Sequence, residues 1–195
     1  MLSLKKSLNI LKKTDALLDG HFVLSSGLHS SKYIQCAKLL SYPHISKDIC
    51  LSLSKKIKKN YKKIDLIFSP AMGGVIIGYE IGRLLKKETI FCERVKKKFH
   101  LRRGFKIKKN SKVLILEDVI TTGKSALECL NLIKQHQSNC IGYSCIIDRS
   151  NDSSLIKETI ISQVKLKIDT FKSNDIPKKL VGIKPVKPGS RSLIK

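Results

Sequence analysis

Residues 112–128 read KVLILEDVITTGKSALE, and the reading of this stretch decides the fold. Val113 to Leu116 are four apolar residues in a row, which suits a short strand covered on both faces. Glu117 and Asp118 end that run, and Thr121, Thr122, Gly123, Lys124 and Ser125 lead into an apolar-faced helix over 123–137. The letters GKS match the end of a nucleotide P-loop, G-x-x-x-x-G-K-[ST]. Asp118 stands where the first glycine of that motif belongs. Two acids at the mouth of the loop would repel a triphosphate, so a P-loop is excluded.

The stretch still describes a phosphate cradle. A loop running into a helix N-terminus presents unpaired backbone N–H groups, and the helix dipole adds positive charge there. Gly123 lets backbone approach a ligand, and Thr121, Thr122 and Ser125 offer hydroxyls. Adjacent carboxylates suit vicinal hydroxyls or a hydrated cation. A phosphate at one end and a diol nearby describe a ribose 5-phosphate. The plainer alternative is a capped helix whose two preceding acids are simply solvated.

Outward from this stretch the pattern alternates. Residues 3–18 carry Leu4, Leu8, Leu11, Ala16 and Leu17 at nearly helical spacing, with Gly20 as the stop, and 46–60 reads as a second, Lys-faced helix. IDLIFSP (64–70) is a strand, 73–87 a helix, ETIFCERV (88–95) a strand, 96–104 a basic polar stretch, and CIGYSCIIDR (140–149) another strand. Strands alternating with helices imply an α/β domain: a central, mainly parallel sheet of βαβ units flanked by helices. Ligands of such sheets bind beyond the carboxyl ends of the strands. Three strand ends carry unusual chemistry, at 69–74, 117–125 and 148–150. No internal repeat or linker divides the 195 residues, so 1–195 reads as one domain.

Composition narrows the partners. The net charge is +24, and only six of the 39 basic residues are Arg. Such a field attracts polyanions, yet the Lys pairs are scattered and no aromatic stripe accompanies them, which makes nucleic acid an unlikely partner. A cationic loop that holds phosphates is another use. No apolar run approaches the ~20 residues of a membrane span, and the N-terminus lacks a signal peptide's apolar region and cleavage site. Six Cys without a C-x-x-C pair fit a reduced cytoplasmic protein.

With these residues in view, VLILEDVITTGKS resembles the phosphoribosyl-pyrophosphate (PRPP) signature of type I phosphoribosyltransferases. Further segments, in their expected order, are similar to the orotate branch of that family: GHFVLSSGLHSSKYIQC (20–36), SPAMGGVIIGYEIGR (69–83), FCERVKKKFHLRRGF (91–105), DR (148–149) and KPGSR (187–191). The resemblance covers nearly the whole chain. It implies transfer of a 5-phosphoribosyl group from PRPP to orotate, with Mg²⁺ carried mainly by PRPP and no direct metal ligand in the protein. PRPP would be bound by Glu117, Asp118, Val119, Ile120, Thr121, Thr122, Gly123, Lys124 and Ser125. Thr121 and Arg149 would contact orotate. Ala71, Met72, Gly73 and Gly74 would form a pyrophosphate loop. Lys98, Arg94 and His100, with Asp118, would be the catalytic groups. The loop 94–104 would act in the neighbouring subunit of a homodimer, and a small hood would come from about 1–40 and 165–195.

Three positions depart from the family pattern. The common bacterial form has Lys where Ser25 and Gly73 stand, and a second loop cation where Val95 stands. Lys96, Lys97, Arg102 and Arg103 are the candidates to replace those cations. Two other readings stay open at this level, a purine phosphoribosyltransferase and a PRPP-responsive RNA-binding regulator. The first is distinguished by Arg149, which suits a carboxylate that purines lack.

Overall fold

The architecture comes from a computed structural model of the chain, which describes residues 1–24, 26–152 and 154–188. Ser25, and Gly189 to Arg191 of the KPGSR segment, lie outside the described residues, as does the part of the expected hood beyond 188. Strands β3 (Leu66–Pro70), β4 (Glu88–Val95), β5 (Lys98–Leu101), β6 (Lys112–Ile120), β7 (Asn139–Asp148) and β8 (Ile160–Lys165) form a sheet in the order β5-β4-β3-β6-β7-β8. All neighbours run parallel except the edge strand β5, which returns antiparallel against β4. The chain leaves β3 toward β4 on one side and later returns to lay β6 on the other. The crevice beyond β3 and β6 is therefore the point where the topology switches direction, the usual ligand position in such sheets.

The strand β6 alternates strictly where it is central. Val113 and Ile115 pack on one face with Ala126, Cys129 and Ile133 of helix α5 (Lys124–Gln135). Leu114 and Leu116 pack on the other with α3 (Pro43–Asn60) and α4 (Gly73–Leu85). Each fully buried Leu or Ile contributes roughly 1.5–3 kcal/mol. Helix α4 comes close to the sheet along a line of glycines. A Cβ on Gly74 would stand 3.0 Å from Leu116 O, and one on Gly78 would stand 2.6 Å from Ser69 Oγ.

The N-terminal region differs from the periodicity reading. Helix α1 covers only Leu4–Lys13, and Leu17 already belongs to strand β1 (Leu17–Val23). The stop is Asp15, at φ 54°, with Ala16 N donating to Leu11 O at 2.9 Å. Asp tolerates this left-handed conformation, so no glycine is needed. Gly20 lies inside β1, where the register with β2 (His29–Ile34) shifts. Strands β1, β2 and β9 (Thr170–Phe171) make a second, three-stranded sheet. Helix α1 packs against β1 and also against β8 of the large sheet, and a short α2 (Cys36–Leu40) joins the small sheet to α3.

A pair of histidines ties the tail to the small sheet. His21 Nδ1 lies 2.9 Å from Ile183 O, and His21 Nε2 lies 2.7 Å from His29 Nδ1. A carbonyl only accepts, so His21 must donate from Nδ1. When His21 is neutral its Nε2 then accepts from His29 Nδ1. Val186 completes the tie by exchanging backbone hydrogen bonds with His21 and Val23.

The glycine line predicts a steric cost. Gly78→Val places branches against Ser69 and Thr89 and should destabilise the protein by roughly 1–3 kcal/mol. Equilibrium urea unfolding measures this, and an unchanged midpoint would show that helix and sheet separate without cost.

Candidate active site

The site is assembled from the carboxyl ends of β3, β6 and β7. Parallel register places Phe68 beside Ile115, so Pro70 and the loop after it lie beside Glu117 and Asp118. Ile120 is registered with Asp148, and Arg149 N donates to Ile120 O at 2.8 Å, next to Thr121. Three distant segments of sequence thus meet at one edge: Ala71–Met72–Gly73–Gly74, residues 117–125, and Arg149.

The two acids do not point the same way. Glu117 is registered with Cys145, which belongs to the α5-side core. Asp118 turns to the α4 side, where a Cβ on Gly73 would stand 2.6 Å from its Oδ1. Strand pleating sends these neighbouring side chains to opposite faces, so each acid reaches the strand end from its own side. Burial, and then the charge of Asp118, raise the Glu117 carboxyl to about 8. Burial also raises Asp118, opposed by the hydrogen bond it accepts from Val119 N at 2.8 Å. Glu117 Oε1 is buried and has no hydrogen-bond partner among the described residues.

The cradle at 121–125 is held by a segment that the sequence reading passed over. Gly123 has φ 78° and precedes α5, and a Cβ there would stand 2.7 Å from Ile156 Cγ1. Both the left-handed backbone and the Ile156 contact require glycine. Leu155 N donates to Thr122 O at 2.9 Å, pinning the loop from behind. Leu127 N donates to Gly123 O at 2.9 Å, the first helical bond, so the N–H groups of the preceding turn have no helical acceptor. Thr121, Thr122 and Lys124 are exposed and Ser125 is half-buried. Val119 and Ile120 are packed into the two cores and can meet a ligand only through backbone.

Arg149 sits in a cleft of about 370 Å³ whose other wall is Lys167, Ile168, Asp169, Thr170 and Phe171. Its Nε is buried without a partner among the described residues, and burial lowers its pKa. The segment 167–171 falls within the expected hood, but it carries no motif that would single out a site residue.

The basic stretch is a hairpin. Arg94 is registered with Phe99, Glu93 with His100, and Val95 with Lys98, around a turn of Lys96 (φ 45°) and Lys97 (φ 68°). Such a two-residue turn normally uses Asn-Gly, and Lys-Lys is an unusual pair for it. Lys98 and His100 are exposed on one face. Arg94 lies on the other, with Nη1 2.8 Å from Glu128 Oε2 and its guanidinium 3.9 Å from the Phe99 ring centre. Of the candidates to replace the departed cations, Arg103 is held by Glu93 at 2.9 and 3.1 Å, and Arg102 approaches the same carboxylate at 3.9 Å. Lys96 and Lys97 are exposed at the tip.

Comparison with known proteins identifies the class that this geometry serves. The phosphoribosyl transferase domain family matches residues 40–177, and the chain belongs to that family. Its curated relatives include orotate phosphoribosyltransferases from Caldicellulosiruptor bescii, 42% identical over 94% of this chain and 96% of the relative, and from Erythrobacter litoralis, 40% identical over 95% and 96%. The fold aligns with orotate phosphoribosyltransferase from Aeropyrum pernix at a TM-score of 0.68 and 24% identity, covering 82% of this chain and 93% of that one. It also aligns with adenine phosphoribosyltransferase from Thermoanaerobacter pseudethanolicus at 0.58 and 17%, covering 69% and 88%. At these identities the structural likeness speaks for the fold alone.

The buried acid predicts a pH dependence. An unfolded Glu titrates near ~4.3, so the folded chain holds the extra proton from there up to about 8. The contribution is fully present below about pH 4 and is lost as pH rises through about 8. Glu117→Gln should therefore melt several degrees above the parent at pH ~8 and close to it at pH ~4.5. Thermal melts across this range test the point; parallel curves would show that Glu117 is already ionised at neutral pH.

Proposed function

We infer that the protein transfers the 5-phosphoribosyl group of PRPP to orotate, giving orotidine 5′-monophosphate and pyrophosphate in pyrimidine synthesis. The observation that carries this reading is the meeting of Glu117, Asp118, the 121–125 cradle and Arg149 at the switch point, on a chain at least 40% identical to orotate phosphoribosyltransferases over nearly its full length. The ribose C1–O bond to pyrophosphate breaks while orotate nitrogen bonds to C1, and the ring carries positive charge in between. Positioning and charge stabilisation do most of the work. The N-terminal N–H groups of α5 and the Thr121, Thr122 and Ser125 hydroxyls grip the 5′-phosphate. A ribose laid across the end of β6 meets Asp118 from the α4 side and Glu117 from the α5 side. The Arg149 guanidinium takes the orotate carboxylate, and Lys98 and His100 neutralise the leaving pyrophosphate.

Mg²⁺ fits this donor set in a limited way. Among the described residues no group of three or more His, Cys, Asp or Glu side chains forms a metal cage. Glu117 and Asp118 are oxygen donors suited to a hydrated divalent cation that arrives on the diphosphate. The ion, when bound, spreads the negative charge that pyrophosphate gains.

The assembly that this reading needs is a homodimer. Met72, just before α4, and Ile76 and Tyr79 on its outer face are 82%, 54% and 68% exposed, and a second copy of the chain would cover them. Residues 1–195 then act as one domain, with the small sheet as the hood. Cytoplasmic placement is supported by six unpaired cysteines. Among the described residues no helix is long and apolar enough to cross a membrane.

Loss of orotate absorbance with PRPP and Mg²⁺, with adenine and guanine as controls, tests the reaction; turnover of a purine alone would overturn it. Arg149→Ala should raise the orotate KM at least about tenfold with little change in the PRPP KM, and Lys98→Ala should lower kcat far more than PRPP affinity. Normal kinetics in either variant would remove that residue from its role. Mixing Lys98→Ala with a Glu117→Gln/Asp118→Asn double variant should restore about a quarter of parent activity through hetero-dimers, if hairpins act in the partner's site. No recovery would place each hairpin over its own site.

A further inference from the structure

The segment after β8 wraps around the small sheet. Residues 167–171 form one wall of the Arg149 cleft, and the last two of them, as β9, pair with one edge of β2 through His29–Phe171 and Ser30–Thr170. Ser30 is fully buried, and its Oγ donates to Asp169 O at 3.4 Å. The chain then crosses to the far edge of the sheet. There Phe22 bridges Val186, Val23 N donates to Val186 O, and Val186 N donates to His21 O, both at 2.8 Å. Residues 166–188 thus form a belt with the β1–β2 pair inside it. One end of the belt lines the cleft assigned to orotate.

The histidine pair fastens the belt. His21 Nδ1 donates to Ile183 O at 2.9 Å, and His21 Nε2 meets His29 Nδ1 at 2.7 Å. A contact that short between two ring nitrogens has room for one hydrogen. With both rings neutral, that hydrogen sits on His29 Nδ1. A first added proton goes to His29 Nε2, which has no hydrogen-bond partner among the described residues, and the contact survives as a charge-assisted bond. A second added proton has only His21 Nε2 left to take it. Both facing nitrogens then carry hydrogen, both rings are cationic, and they must part. His21 is 5% exposed, so its charge would also be buried. No nearby acid offsets it. The titratable groups of the surrounding elements are Asp19 on β1, Lys32 and Tyr33 on β2, Lys167, Asp169 and Lys172 around β9, and Lys178, Lys179, Lys184 and Lys187 on the tail. Asp19 is already held by Lys12 and Lys32, and neither ring forms an ion pair among the described residues.

We propose that the His21–His29 pair is a proton-sensitive clasp that fastens the belt and so positions the wall at 170–171 across from Arg149, closed with no or one added proton and opened by a second. The link to orotate rests on the function inferred above; the clasp itself does not. His29 is half-buried, so replacing it leaves the core intact. At pH ~7.5, where ordinary imidazoles are neutral, His29→Leu removes the donor. Amide hydrogen exchange across 181–187 should then rise about tenfold and the orotate KM about fivefold, with the PRPP KM within about twofold of the parent. His29→Asn places an amide N–H near the position of Nδ1 and should keep both values close to the parent. On acidification to pH ~5 the parent's exchange across 181–187, corrected for the intrinsic rate, should rise at least about tenfold. His29→Asn should rise less than about threefold, because its amide does not titrate and can turn to accept from His21. Exchange is read at low pH in place of rate, because His100 of the catalytic hairpin is also an imidazole.

Three results would overturn the proposal. Equal exchange in the parent at both pH values would show that the belt does not respond to protons. Equal rises of the orotate and PRPP KM in His29→Leu would show general damage to the site in place of one positioned wall. A belt as loose in His29→Asn as in His29→Leu would show that the Nδ1 donor does not hold it. If the parent protein transferred nothing to orotate, the functional reading would fail by itself, and the exchange measurements would still decide the clasp.

Discussion

The structure depends on keeping two carboxylates at the dry end of its central strand. Glu117 and Asp118 both resist ionisation because burial removes water from them, and they are covalent neighbours. The surrounding backbone is shaped to this requirement. Gly73 has no side chain, and the Asp118 carboxylate fills the space where one would begin. Gly123 is bare for a similar reason, with Ile156 filling that space on the other side of the loop. A lysine at 73, as in the common bacterial pattern, would need Asp118 to move first. The cation that offsets these acids is therefore best supplied with the ligand, as metal or as the positive ribose of the transition state. A site built in this way holds little favourable electrostatic energy when empty and gains it as charge develops, the condition for binding a transition state more tightly than a ground state.

The legible part of the fold was the part governed by strong periodicity. β6, β4, α4 and α5 lie close to where their apolar patterns and flanking glycines put them, because central strands and their covering helices bury one continuous type of residue. The small sheet was not legible. β1 and β2 mix His, Ser, Lys and Asp with apolar residues, and β9 has two residues, too short for any period. The helix over 3–18 was overextended for a related reason: Ala16 and Leu17 continue helical spacing, yet they are buried by the start of a strand. The acid pair, the cradle and Arg149 were visible in the sequence because each has chemistry unusual for a strand end. Ile156 was not, and the residues of the 167–171 wall were covered only by the general expectation of a hood from 165–195. Their importance lies in what they touch across the fold, and one sequence does not record that.

The excess of lysine has a physical reading once the acids are placed. Among the described residues, five acids outside the pair at 117–118 are engaged by cations. Lys12 and Lys32 hold Asp19 and lower its pKa, Arg83 holds Glu80, Arg103 holds Glu93, Arg94 holds Glu128, and Lys165 approaches Asp148. Apart from Lys165–Asp148, whose carboxylate is buried, these pairs are exposed or partly so and contribute little to stability, about 0–1 kcal/mol each. The consequence of the lysine excess is kinetic. With 39 basic and 15 acidic residues, the long-range field is positive however the acids are paired. PRPP and orotate are both anions, so such a field raises the rate of encounter over a distance of about 8–10 Å at ordinary ionic strength. Inside that distance the roles reverse. The lysines are scattered and cannot orient a ligand, which leaves orientation to the groups gathered at the ends of β3, β6 and β7.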